Sequence, residues 1–157
     1  MTYEYANRYD YHTRGAFYYA VITSVKSYVV GASANWYADL ALDKKGEWLD
    51  GGKNYKLVVP PKAPAKNFWS VTGYDLESAS YIRDTAKSSV DSNQAALKKN
   101  SDGTVDVYFG PKAPKGKEGN WIPTKEGQRF FMLFRCYGAT AAAYDGSFEL
   151  NDIELLK

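Results

Sequence analysis

A single cysteine, Cys136, and a single histidine, His12, set the first limits on this 157-residue chain. One cysteine excludes an internal disulfide and leaves the redox compartment open, since a chain without cystines can live on either side of a membrane. Its setting, the apolar run RFFMLFRCYG, favours a buried, inert thiol over a reactive one. One histidine excludes a two-histidine metal set. It also leaves a nucleophilic triad with His12 as its sole histidine base, on an N-terminal arm where an exposed side chain is the simpler expectation. No metal and no cofactor are expected.

Charge of one sign is equally scarce. Lys and Arg total 20 against 18 Asp and Glu, a formal net charge of +2, far short of the basic excess with which proteins hold phosphate backbones. Nucleic acid is therefore not an expected partner. Long apolar runs are missing as well. The longest, AFYYAVITSVKSYVV, is interrupted by Ser24, Lys26 and Ser27 and is too short for a bilayer, so no membrane insertion is expected. The start, MTYEYANRYDYHTRG, lacks the basic segment, apolar run and cleavage site of a signal peptide, which makes the cytoplasm the default compartment. No internal repeat or low-complexity tract is visible.

What is present divides at about residue 35. Phe17, Ala20, Val21, Ser24, Val25 and Tyr28 share one helical stripe that ends at Gly31, which predicts an amphipathic helix over residues 14–30 within an N-terminal arm of residues 1–35. From Trp36 to residue 157 the pattern is that of an all-β domain, with β-branched and aromatic runs between Gly, Pro and Asp-Gly punctuation. The expected strands are WYADLALD, NYKLVV, FWSVTGYD, VDVYFG, RFFMLFRCYG, and the weaker FEL and IELLK. The polar segment LESASYIRDTAKSSVDSNQAALKKN is expected to hold a short helix within a long connection.

Four strings carry a resemblance: GEWLDGGKNYKLVVPPKAPAKNFWSVTGYD, KKNSDGTVDVYFGPKAPKGKEGNWIPT, GQRFFMLFRCYG and YDGSFELNDIE. In register and order, from about Trp36 to the end, they resemble the bacterial domain-of-unknown-function family twelve-fourteen, usually the C-terminal half of a larger protein that begins with domain twelve-fifty-four. The resemblance implies a mainly β, antiparallel jelly-roll-like β-sandwich, a partner domain in the longer members, and no established activity. The chain departs from it at Tyr137-Gly138-Ala139, where many members have Tyr-Gly-Pro, and at Phe148, where tryptophan is common. VDSNQAALKK also lacks a glycine often found there. Without the partner half, a site formed between the two halves would be incomplete. The rings of YEYANRYDY and the apolar helix stripe would then be covered by the chain's own β domain or across a homo-oligomer contact through the arm.

The loop YFGPKAPKGKEGNWIP, residues 108–123, mixes three prolines and three glycines with large rings. Trp121 and Tyr108 are expected to fold back and fasten it. Its lysines do not make a phosphate loop, because Lys117 is followed by Glu118 rather than Ser or Thr opening a helix. Asp75 and Asp145 sit at strand ends or turns, where acids more often cap backbone amides than protonate substrates. Arg135, inside the apolar FFMLFRCY, must reach an acid such as Asp75, the surface, or a carboxylate-bearing ligand. The candidate ligand-binding residues are Trp69, Tyr74, Asp75, Tyr108, Trp121 and Arg135.

With 16% aromatic residues and no catalytic set, the leading reading is a non-catalytic binding or scaffold module. The alternatives are a hydrolase or glycan-active enzyme using Asp, Tyr and Arg in a cleft, and a self-assembling structural module. Two carboxylates and an arginine converging in one pocket would favour the enzyme. A flat line of exposed rings would favour binding.

Overall fold

The computed structural model describes residues 35–156, together with the backbone of two short strands, β1 (Glu4–Tyr5) and β2 (Arg8–Tyr9), which pair antiparallel. The helix expected over residues 14–30 lies outside the described residues. The strands that follow are β3 (Trp36–Leu40), β4 (Tyr55–Val59), β5 (Ala65–Asp75), β6 (Ser89–Asp91), β7 (Val105–Gly110), β8 (Trp121–Pro123), β9 (Phe130–Ala139) and β10 (Glu154–Leu155). They form two four-stranded sheets, ordered β3-β9-β5-β6 and β10-β4-β7-β8. All pairings are antiparallel except β7 with β8, which run parallel.

Period-two alternation decides which face of each strand turns inward. Tyr55, Leu57 and Val59 on β4 and Val105, Val107 and Phe109 on β7 are buried from one sheet; Trp69 and Val71 on β5 and Phe130, Met132, Phe134 and Cys136 on β9 are buried from the other. The two sets belong to one apolar cluster. The Phe130 ring meets Tyr55 and Phe109 across the gap, at centroid separations of 5.9 and 6.4 Å. Gly73 interrupts the β-branched run of β5 for a packing reason. A Cβ there would lie 3.2 Å from Met132, 3.3 Å from Ile82 and 3.4 Å from Ile122, so even a methyl group would need these side chains to give by a few tenths of an ångström.

Two expectations are corrected. The polar segment 76–100 holds no helix; it is a run of turns around the short strand β6. Asp75, Asp91 and Asp102 each accept a backbone N–H two or three residues ahead, and such local bonds compete with a helical ladder. FEL is not a strand; Phe148 and Leu150 instead pack half-buried against the core. Conversely, β8 lies inside the loop that composition reads as irregular. No helix among the described residues is long and apolar enough to cross a membrane.

Cys136 faces the core and is fully buried, and desolvation pushes its thiol up to about 12. The thiolate that reacts with disulfide reagents is thus almost absent at neutral pH. A colorimetric aromatic disulfide should titrate one thiol only at the rate of global unfolding; immediate reaction in native buffer would show a different environment.

Candidate functional site

The same alternation that buries Phe134 and Cys136 turns Phe131, Leu133, Arg135 and Tyr137 to the outer face of the β3-β9-β5-β6 sheet, where all four are half-buried. Register places Arg135 between Tyr37 of β3 and Ser70 of β5, with Tyr74 opposite Phe131. The guanidinium donates to the Thr72 hydroxyl at 2.9 Å and to the Tyr74 hydroxyl. Its carbon lies 5.9 Å from the Tyr37 ring centroid and 5.5 Å from that of Tyr74, within cation–π range of both. Tyr74 is in turn stacked between Phe131, at 5.2 Å, and Tyr81, at 5.1 Å. Tyr37 and Tyr81 are exposed. The nearby Tyr74 hydroxyl pushes that of Tyr81 above its ordinary value.

No carboxylate among the described residues pairs with Arg135. The ion pair expected with Asp75 does not form. That carboxylate instead accepts the Ser78 backbone N–H at 2.8 Å and the Ser78 hydroxyl at 2.6 Å, bonds that hold it below its usual value. Asp145 likewise closes a turn, accepting the Ser147 N–H at 2.9 Å. Asp39 and Asp91 share the sheet with Arg135 without coming into ion-pair distance.

Of the six candidate residues, then, Tyr74 and Arg135 come together, and Asp75 lies at the end of the same strand. Trp69 points the other way, into the core, stacked on Phe134 at 5.9 Å. Tyr108 and Trp121 are neighbours on the opposite sheet. Trp121 closes the loop as expected, whereas the Tyr108 hydroxyl stays with its own strand. The Trp121 indole donates to the Gly110 carbonyl at 2.9 Å, and the Tyr108 hydroxyl donates to Asp106 at 3.2 Å. The loop also offers carbonyls to its neighbours. Lys98 donates to Gly116 O, and Lys87 and Gln94 donate to Gly119 O. Sequence reasoning missed Tyr37, Thr72, Tyr81 and Phe131. For Tyr37 and Phe131 the outward phase of WYADL and RFFMLFRCYG was a usable signal. Tyr81 sits in a turn region and carries none.

The family model described as "Protein of unknown function (DUF1214)" matches residues 34–141. The chain belongs to this family. Among solved structures, the DUF1214 chain is similar to the VPA0106 protein of Vibrio parahaemolyticus, at 26% identity and a TM-score of 0.68, over 80% of this chain and 31% of that one. A second similarity is to an uncharacterized protein of Burkholderia cenocepacia, at 14% identity and a TM-score of 0.43, over 91% of this chain and 39% of that one. The chain thus spans well under half the length of either. No curated protein matches it.

In this DUF1214 chain the Arg135 face continues, through Tyr81 and Asp75, into a polar cleft of about 490 Å³ between the turn after β5 and the turn before β9. Among the described residues no group of three or more His, Cys, Asp or Glu side chains is placed to hold a metal ion.

Proposed function

We propose that this domain is a non-catalytic binding module that takes a carboxylate-bearing ligand on the outer face of the β3-β9-β5-β6 sheet, with Arg135 as anchor and Tyr37 and Tyr74 as walls. The scaffold we read behind it is a jelly-roll-like sandwich, which leaves an outer sheet face for a partner. The observation that carries the proposal is the half-buried guanidinium with neutral partners. Two of its five N–H groups go to hydroxyls, and its charge has no acid among the described residues. Such a group gains most from an anion that accepts two parallel bonds. The line of rings beside it supports binding rather than catalysis, because Asp75 and Asp145 are engaged in turns instead of converging on Arg135.

Benzoate offers both a carboxylate and a flat ring, and acetate offers only the first. Titrated into the labelled protein, benzoate should shift the Arg135 Nε–H resonance and the ring resonances of Tyr37 and Tyr74 saturably, with affinity at least about tenfold above acetate and, read at the tyrosines, about tenfold lost in Arg135→Gln, the scale of a charge-assisted hydrogen bond. Benzoate binding that is equal in Arg135→Gln, or absent at tens of millimolar, would overturn the assignment. Arg135→Leu should cost about 1 kcal/mol or less in urea unfolding, since its loss orphans no buried charge. A loss of several kcal/mol would reveal an acid partner.

A further inference from the structure

We infer that the polar cleft between the turns after β5 and before β9 is a second binding site, adjoining the Arg135 face at Tyr81, for a small hydroxylated acid of the sugar-acid class. The three acids and three bases lining it balance in number, but not all of them are paired. Lys125 is paired with Asp84, Nζ to Oδ2 at 3.1 Å, and the Asp75 carboxylate is held by Ser78. Arg83 and Arg129 line the same cleft, both exposed, and neither is in an ion pair among the described residues, although, after the Ser78 bonds, the Arg83 charge helps to hold the Asp75 carboxylate down. The Arg129 guanidinium rests over Trp48, 5.8 Å from the ring centroid, and Trp48 is half exposed.

Two exposed guanidinia outside any ion pair can receive an anion, and the acids set its charge. Glu77, Asp75 and Asp84 also line the cleft, so a dianion such as phosphate would be repelled, while a monoanion carrying hydroxyl groups would find acceptors for them. Ser80 and Gln128 add groups that both donate and accept. Tyr81, 57% exposed at the wall, offers the flat apolar surface against which the C–H face of a sugar ring packs. The volume of about 490 Å³ lies within the range of small-molecule sites. One carboxylate, several hydroxyls and a ring face together describe a uronic acid or a close relative.

Calorimetric titration of the full chain with glucuronate should show saturable binding, at least about tenfold tighter than glucose or inorganic phosphate. Arg83→Gln, a change at an exposed side chain, should weaken glucuronate binding about tenfold and leave the benzoate response at Arg135 unchanged; Arg135→Gln should do the reverse. Glucose or phosphate binding as tightly as glucuronate would overturn the ligand class. Glucuronate binding that survives Arg83→Gln together with Arg129→Gln, or that is abolished by Arg135→Gln alone, would overturn the cleft as its site. Because the two arginines are probed by different ligands, failure of one site is distinguishable from failure of the other.

Discussion

Phe134→Ala is expected to lower the unfolding free energy by about 4 kcal/mol and the thermal midpoint by about 10 °C. The ring is fully buried at the centre of β9. It is stacked on Trp69 at 5.9 Å and on Phe148 at 6.3 Å, and Trp36 meets it edge-on at 6.2 Å. Truncation removes the transfer free energy of a whole ring. The three neighbours, fixed on β5, β3 and the C-terminal segment, cannot close on the space together, so a cavity term adds to the loss. Phe134→Leu keeps most of the volume and should cost roughly half as much. Urea unfolding monitored by tryptophan fluorescence reads both. A loss below about 2 kcal/mol for the alanine variant would mean that the cluster collapses freely or is not formed.

Asn120→Asp, a change of one atom's identity, is expected to cost about 3 kcal/mol. Asn120 is fully buried. Its side-chain oxygen accepts the Lys98 N–H at 2.8 Å, and its amide donates to Lys98 O at 2.7 Å and Asp106 O at 2.9 Å. Aspartate preserves shape and the single acceptor role, yet it turns a second oxygen, with charge, against two carbonyls. The loop of residues 111–119 would lose its anchor to β7, and trypsin should then cut after Lys115 or Lys117 on the order of ten times faster in native buffer. An Asn120→Asp protein that melts with the parent and is cut no faster would remove Asn120 from this role.

The strands that were legible in the sequence share one property: their apolar period was long enough to see. RFFMLFRCYG and FWSVTGYD run across the centre of a sheet, and their alternation announces both faces. Trp121–Pro123 and Ser89–Asp91 are three residues each, too short for a period to show, and each is defined by the strand it borders. The site divides in the same way. That Arg135 needed a partner followed from a charge inside an apolar strand. That its partners are Thr72, Tyr74 and Tyr37 is a matter of register between segments about sixty to a hundred residues apart, and no local pattern encodes register. The turn role of Asp75 was legible in part, because an acid at a strand end tends to cap backbone amides, but the same residue was also expected to pair with Arg135 and does not. The cleft was not legible, because its walls come from two separate turns.

The pairing of β3 and β5 with β9 has a consequence for synthesis on the ribosome. Trp36–Leu40 has β9 as its neighbour in the sheet, and β5 has β9 on one side and the three-residue β6 on the other. The central sheet therefore has to wait until residues 130–139 are made, about 90 residues after β3. At the usual pace of translation that is an interval of about 5–20 s, during which the Trp36 strand lies unpaired and the Trp69 strand has only the short β6 beside it, both adhesive. The growing chain is thus most vulnerable before β9 emerges. Slowing synthesis between β3 and β9 should raise the share of aggregated product, whereas the same delay introduced once β9 has left the ribosome should not.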